Sequence, residues 1–139
     1  AKGSTKAYDE AKELINQYNL NNIISLNEAT KDIANKMNEA DVVALFSSVE
    51  GLPNTICEGM TLGKPIIMTR VSDYKVLVDQ NNGFLCDWDN IESIKYVLNL
   101  IENLSENKLK EMGNKSKIKA NELFSNSNVI SKWLSIING

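Results

Sequence analysis

Histidine is absent from the 139 residues, which removes the commonest general base and the commonest side-chain metal ligand. Cysteine occurs only twice, as Cys57 and Cys86. Each sits in an apolar run and neither belongs to a C-x-x-C pair, so a zinc site is not expected and two reduced thiols in or near a core are. Arginine occurs once, at Arg70, and the net charge is −3. With a pI of 5.0 there is no basic excess to neutralise phosphates, and nucleic acid is excluded from the expected partners. No apolar run approaches the roughly 18 residues a membrane helix needs. No signal peptide opens the chain, and the expected compartment is cytoplasmic. Catalysis in such a chain must rest on carboxylates, hydroxyls, lysines or backbone N–H groups, or borrow groups from elsewhere. What is present is ordinary for a globular protein, 42% hydrophobic and 24% charged, and the length suits one domain over residues 1–139 with one core.

Short apolar runs alternate with longer segments of helical period. Residues 23–26, 42–46, 66–69 and 84–86 read as strands. The second of these is apolar on both faces, as a buried parallel strand should be, and the last is entered through the turn signal Asn81-Asn82-Gly83. Helical stripes run through 5–19 (Ala7, Ala11, Leu14, Ile15, Tyr18), 30–39, 54–62, 90–104, about 107–123 and 126–138. Alternating strands and helices predict an α/β domain, a Rossmann-like parallel sheet flanked by helices. Ligands of such sheets bind beyond the carboxyl ends of the strands. That directs attention to Ser47–Thr55 and to Arg70–Tyr74.

In the first of these stretches a strand ends at Phe46 and small polar residues and Glu50 emerge. Gly51 supplies a free backbone position. Pro53 presets φ for a helix, which Asn54 or Thr55 is placed to cap. The first N–H groups of that helix form an anion site. Glu58 lies about one turn in, so it and Glu50 are expected to face one cleft. An ionised carboxylate accepts from two hydroxyls at once, which suits a sugar.

Glu50 and Glu58 stand as E-x7-E inside S-x-x-E-G-L-P-N-x-x-x-E-G-M-x-x-G-K-P, and the pattern continues through Pro65–Thr69, Leu77-Val78, Asn82–Leu85 and Asp89. This resembles the C-terminal domain of the GT-B-fold retaining glycosyltransferases of family 4, the glycosyl transferases group 1, over about residues 20–125. The resemblance implies a donor site made of Ser47, Glu50, Gly51, Leu52, Pro53, Asn54 and Glu58. Glu50 would be the catalytic contact to the transferred sugar and Glu58 the contact to the ribose, with loop N–H groups near the diphosphate. It implies transfer from a nucleoside diphosphate sugar with retention, no cofactor and no metal. It also implies a missing N-terminal GT-B domain, through which the protein would reach the inner face of a membrane, and a C-terminal domain lacking its first strands. The chain alone is then expected to be inactive and to bind nucleotide sugars weakly or not at all. A non-catalytic nucleotide-sugar-binding module and a GT-B-like nucleotide-sugar epimerase are the alternatives; a purely structural domain leaves E-x7-E unexplained.

Three features depart from the pattern or mislead. Asp87-Trp88-Asp89 imitates a D-x-D metal motif, but Asp89 with Glu92 reads as a capping box. Arg70-Val71-Ser72-Asp73 replaces the family's small residues and glycines after the third strand, with Arg70 read as a surface residue. Asn27 replaces a glycine and is expected to tolerate a left-handed backbone. Without their neighbours, residues 23–26 are expected to pair directly with 42–46, and the open edge of 42–46 to favour self-association.

Overall fold

The computed structural model describes residues 5–125 together with Ile136 and Ile137. The helix expected at 126–138 therefore falls almost wholly outside the described residues. The chain divides into two compact units, 1–33 and 34–139.

The first unit is built on α1 (Thr5–Gln17). Of its expected stripe only Ile15 is buried, while Leu14 and Tyr18 are exposed. The helix stops two residues early because Asn19 adopts φ 56°. The Leu20 N–H then bonds the Ile15 carbonyl at 2.8 Å and the Asn19 N–H bonds that of Asn16 at 3.1 Å, a Schellman-type end. The Leu20 carbonyl next accepts the N–H groups of both Ile23 and Ile24 at 2.9 Å. Those amides are committed to a turn, so the strand expected at 23–26 does not form and its pairing with 42–46 does not occur. Ile23 is 78% exposed. Asn27 is not left-handed; among the described residues the non-glycine positions with positive φ are Asn19 and Ser72.

The second unit holds a three-stranded parallel sheet of β1 (Val43–Leu45), β2 (Ile66–Thr69) and β3 (Gly83–Cys86), in that spatial order. It is preceded by α2 (Ile33–Glu39). That helix starts three residues later than expected; just before it the Thr30 hydroxyl accepts the Asp32 N–H at 3.0 Å. α3 (Asn54–Thr61) joins β1 to β2. The short α4 (Tyr74–Leu77), which the sequence pattern did not show, joins β2 to β3. α5 (Ile91–Glu102) and α6 (Glu106–Phe124) follow.

The four residues of β2 are all buried, as a central parallel strand requires. Ile66 and Met68 enter a core with Ile56, Met60, Met37, Leu77, Val78 and Ala120. Ile67, one residue out of phase, enters a second core with Cys86, Val97, Phe84 and Ile94. The sheet is thus covered on both faces. β1 departs from expectation: it is shorter, Ala44 is exposed, and Phe46 beyond its end is 47% exposed. It is an edge strand of the sheet, paired only with β2 among the described strands, and α5 packs on β3 at the other edge.

The capping of α5 also differs from the reading. Asn90, not Asp89, is the cap; its side-chain oxygen accepts from the N–H groups of Glu92 and Ser93, each at 3.1 Å. No described helix is long and apolar enough to cross a membrane.

Candidate functional site

The carboxyl ends of the three strands are tied to one another. At the end of β2 the Thr69 hydroxyl accepts the Ser47 N–H at 3.1 Å and donates to the Ser47 carbonyl at 2.6 Å. The Ser47 hydroxyl donates to the Val49 carbonyl at 2.9 Å, and the Ser72 hydroxyl donates to the Gly51 carbonyl. Across the next pair of strands, Arg70 Nη1 meets Asp87 Oδ1 at 2.7 Å. Arg70 is therefore engaged with the first aspartate of Asp87-Trp88-Asp89.

The loop from Ser47 leads into α3. Pro53 is the helix's N-cap and no side chain caps it, so the capping expected of Asn54 or Thr55 does not occur. Instead the Pro53 carbonyl accepts from Ile56 at 2.9 Å and Cys57 at 3.1 Å, and the Asn54 N–H turns back to Leu52 at 2.9 Å. Along α3, Ile56, Gly59 and Met60 face inward. At 100° per residue this puts Glu58 and Asn54 together on the outer face. Glu50 is half-buried and Glu58 exposed. Neither carboxylate has a hydrogen-bond donor or a cation as partner among the described residues.

Cys57, on the flank of α3, is half-buried and free, and Cys86 is buried and free. Burial pushes the Cys57 thiol up, aided by the nearby charges of Glu58 and Asp73. Burial likewise raises Cys86, against the pull of Arg70. Both are thiols, not thiolates, at neutral pH.

The long motif separates into two halves once each residue's contacts are known. One half serves the fold. A Cβ at Gly59 would lie 3.0 Å from Val43 Cβ, so the glycine lets α3 sit directly on β1. Gly63, at φ 73°, ends α3 in a Schellman motif, with the Lys64 N–H on the Gly59 carbonyl at 2.9 Å and its own N–H on Met60 at 3.0 Å. Lys64 Nζ caps α2 through the Asn38 carbonyl at 2.8 Å. Met60 is fully buried. The downstream Asn82-Gly83 belongs to this half too. Asn82 is buried, accepts the Asp79 N–H at 2.8 Å and donates to the Leu77 carbonyl at 3.0 Å, and a Cβ at Gly83 would lie 2.1 Å from the Ile66 oxygen.

The other half has no such duty. Gly51 does not have a positive φ, and a Cβ there would meet nothing within 4 Å. Leu52 is 60% exposed. Asn54, Glu50 and Glu58 have no side-chain partner among the described residues. Ser47 bonds only within its loop and to Thr69, and Pro53 is buried as the hinge into α3. All seven expected site residues thus lie on the loop after β1 and on the first turns of α3. Thr69 and Ser72, which hold that loop, were missed. A hydroxyl at a strand end reads as a simple polar boundary, and only the parallel register places Thr69 beside Ser47.

Elsewhere, a shallow depression of about 300 Å³ lies at the amino end of β3, lined by Asp79, Asn81, Asn82, Lys115, Ile118, Lys119 and Glu122. Lys119 Nζ meets Asp79 Oδ2 there at 2.7 Å and holds that carboxyl below the usual range, with help from the Asn81 N–H. It is remote from the motif, at the opposite end of the strands. Among the described residues no group of three or more Cys, Asp or Glu is placed to hold a metal ion.

Residues 2–119 match the family described as glycosyl transferases group 1. The chain is 29% identical to an uncharacterised glycosyltransferase of Haemophilus influenzae over 97% of its own length and 38% of that protein's. It is 31% identical to an uncharacterised glycosyltransferase of Methanocaldococcus jannaschii, over 73% of this chain and 30% of the other. Thus the chain spans between 30% and 38% of the length of these relatives. Among solved structures, HepE of Anabaena, crystallised with UDP and glucose, superposes with a TM-score of 0.84 at 21% identity, covering 98% of this chain and 37% of HepE. At that identity the likeness speaks for the fold.

Proposed function

The chain belongs to the glycosyl transferases group 1 family and has the Rossmann-like α/β fold of GT-B glycosyltransferases, and from that premise we propose that it is the donor-binding part of a retaining, family 4 enzyme. The donor is a nucleoside diphosphate sugar and the acceptor a glycan or lipid-linked saccharide. The observation that supports this most is the division of the motif: the side chains of Glu50, Asn54 and Glu58 have no partner among the described residues, and the space a side chain at Gly51 would enter is open. HepE, which shares the fold, has been crystallised with UDP-glucose, and a ligand of that class has the hydroxyls and the diphosphate such groups suit.

In this reading the Glu50 carboxylate accepts from hydroxyls of the sugar and Glu58 from those of the ribose. The open space over Gly51 admits the donor close to the backbone. The amino end of α3, with its partial positive charge, takes the diphosphate and stabilises the negative charge that grows on it as the bond to the anomeric carbon breaks. No metal has a part in the step. A second domain supplies the acceptor site and the cations that the loop lacks.

The test is turnover of nucleotide sugars by the full-length polypeptide. Loss of one charge-assisted hydrogen bond of about 1.5–3 kcal/mol lowers kcat/KM about ten- to hundredfold, so Glu50→Gln and Glu58→Gln should each do so without moving the melting temperature. The product should keep the donor's anomeric configuration by NMR. Conversion of the nucleotide sugar to its epimer with no acceptor would replace this reading by an epimerase.

A further inference from the structure

The loop that carries Glu50 is held from outside at two points, and both holding groups are hydroxyls on the β2 side. Thr69 is fully buried, and its one oxygen both accepts the Ser47 N–H at 3.1 Å and donates to the Ser47 carbonyl at 2.6 Å. Ser72 donates to the Gly51 carbonyl. The anchors therefore fall on either side of Val49 and Glu50. Between them the Ser47 hydroxyl closes a small turn on the Val49 carbonyl at 2.9 Å. Ser72 makes its bond from φ 52°, a left-handed conformation that glycine adopts freely and other residues adopt at a cost. Glycine would relieve that backbone, yet glycine has no hydroxyl to reach Gly51. Strain kept at one residue beside a candidate site points to a duty for its side chain.

We propose that Thr69 and Ser72 are positioning residues, which fix the Ser47–Gly51 loop so that Glu50 is presented to the donor in one orientation. The hold on the loop is a property of the chain itself; its consequence for the donor rests on the reading of the previous subsection. Thr69 acts as a staple at the loop's start. Ser72 acts at its exit, just before α3.

Ser72→Gly removes the hydroxyl and relieves the backbone; Ser72→Ala removes the hydroxyl alone. For Ser72→Gly the expected result is a melting temperature at or above that of the parent. Together with this, the NMR order parameters of the Glu50, Gly51 and Leu52 amides fall from about 0.85 toward about 0.6. Ser72→Ala should loosen the loop equally but melt lower. In the full-length polypeptide both should raise the donor KM about fivefold, the loss of one neutral hydrogen bond, with a smaller change in kcat. Thr69→Val should act in the same direction, and Thr69→Ser, which keeps the hydroxyl, should restore parental order and KM. Unchanged order parameters at residues 50–52 in Ser72→Gly would overturn the proposal, as would a donor KM equal to the parent's while Glu50→Gln lowers kcat/KM about tenfold or more. If the loop loosens but Glu50→Gln leaves turnover intact, the anchors stand and it is the donor reading that fails.

Discussion

Two glycines of this chain, exchanged for alanine, should fail in opposite ways. At Gly83 the new Cβ would lie 2.1 Å from the Ile66 oxygen, 2.9 Å from its carbonyl carbon and 3.0 Å from Val78 Cγ1, where ordinary contact begins at 3.4 Å. Two of these neighbours are backbone of the central strand, so the β2–β3 ladder must open by more than 1 Å, the shortfall against that contact distance. Overpacking costs about 1–3 kcal/mol, and a rigid neighbour puts Gly83→Ala at the upper end. At a few degrees per kcal/mol for a domain of this size, the melting temperature falls by about 10 °C. At Gly51 the Cβ meets nothing within 4 Å and φ is not positive. Alanine there restricts the unfolded chain and should stabilise by about 0.4–1 kcal/mol. Yet the methyl enters the space assigned to the donor, and kcat/KM should fall about tenfold or more if that space is filled by ligand. Urea unfolding followed by circular dichroism, beside donor turnover by the full-length polypeptide, measures both. A Gly51→Ala variant that is as active as the parent, or that loses more than about 1 kcal/mol of stability, would refute the claim that this glycine is there for a ligand.

The Asp79 carboxyl is held below its ordinary range by Lys119 and the Asn81 N–H. Its folded pKa is thus below its unfolded one, and its contribution to stability is present above about pH 4 and lost as pH falls through the folded value. Urea midpoints measured from pH 7 to pH 3 should show this loss in the parent and less of it in Asp79→Asn. Asn82→Ala takes the side-chain partner from the Asp79 N–H and from the buried Leu77 carbonyl, and should cost about 1–3 kcal/mol by the same unfolding assay. Asn90→Ala removes the cap of α5 and should cost about 1 kcal/mol, whereas Asp89→Ala should be neutral.

Residues whose neighbours in sequence decide their structure were legible without coordinates. Ile66–Thr69 reads as a buried strand and is one, because a central parallel strand is apolar on both faces. The Glu50–Glu58 segment reads as loop then helix, and is so, because Gly51 and Pro53 punctuate it. Features that depend on distant partners were not legible. Residues 42–46 look fully buried, but they form an edge strand on which Ala44 is exposed. Residues 23–26 look like a strand, but the Leu20 carbonyl captures two of their amides. Asp89 and Asn90 are both good caps, and only the register of α5 selects the second. The left-handed Ser72 and the two hydrogen bonds between Thr69 and Ser47 carry no local signature. Which half of the long motif serves the fold and which half is free became visible only from the contacts of each residue.

Amide chemical-shift mapping of the 139-residue chain, titrated with UDP, GDP and ADP and with their glucose conjugates up to about 10 mM, tests the central assignment most directly. The account predicts weak binding with shifts gathered at residues 50–58, the bare nucleotide acting on Glu58 and the first turn of α3, and the sugar adding Glu50 and Gly51. Shifts confined to the depression around Asp79, Asn81, Lys115 and Lys119, or saturation by any nucleotide sugar at low-micromolar concentration, would contradict it.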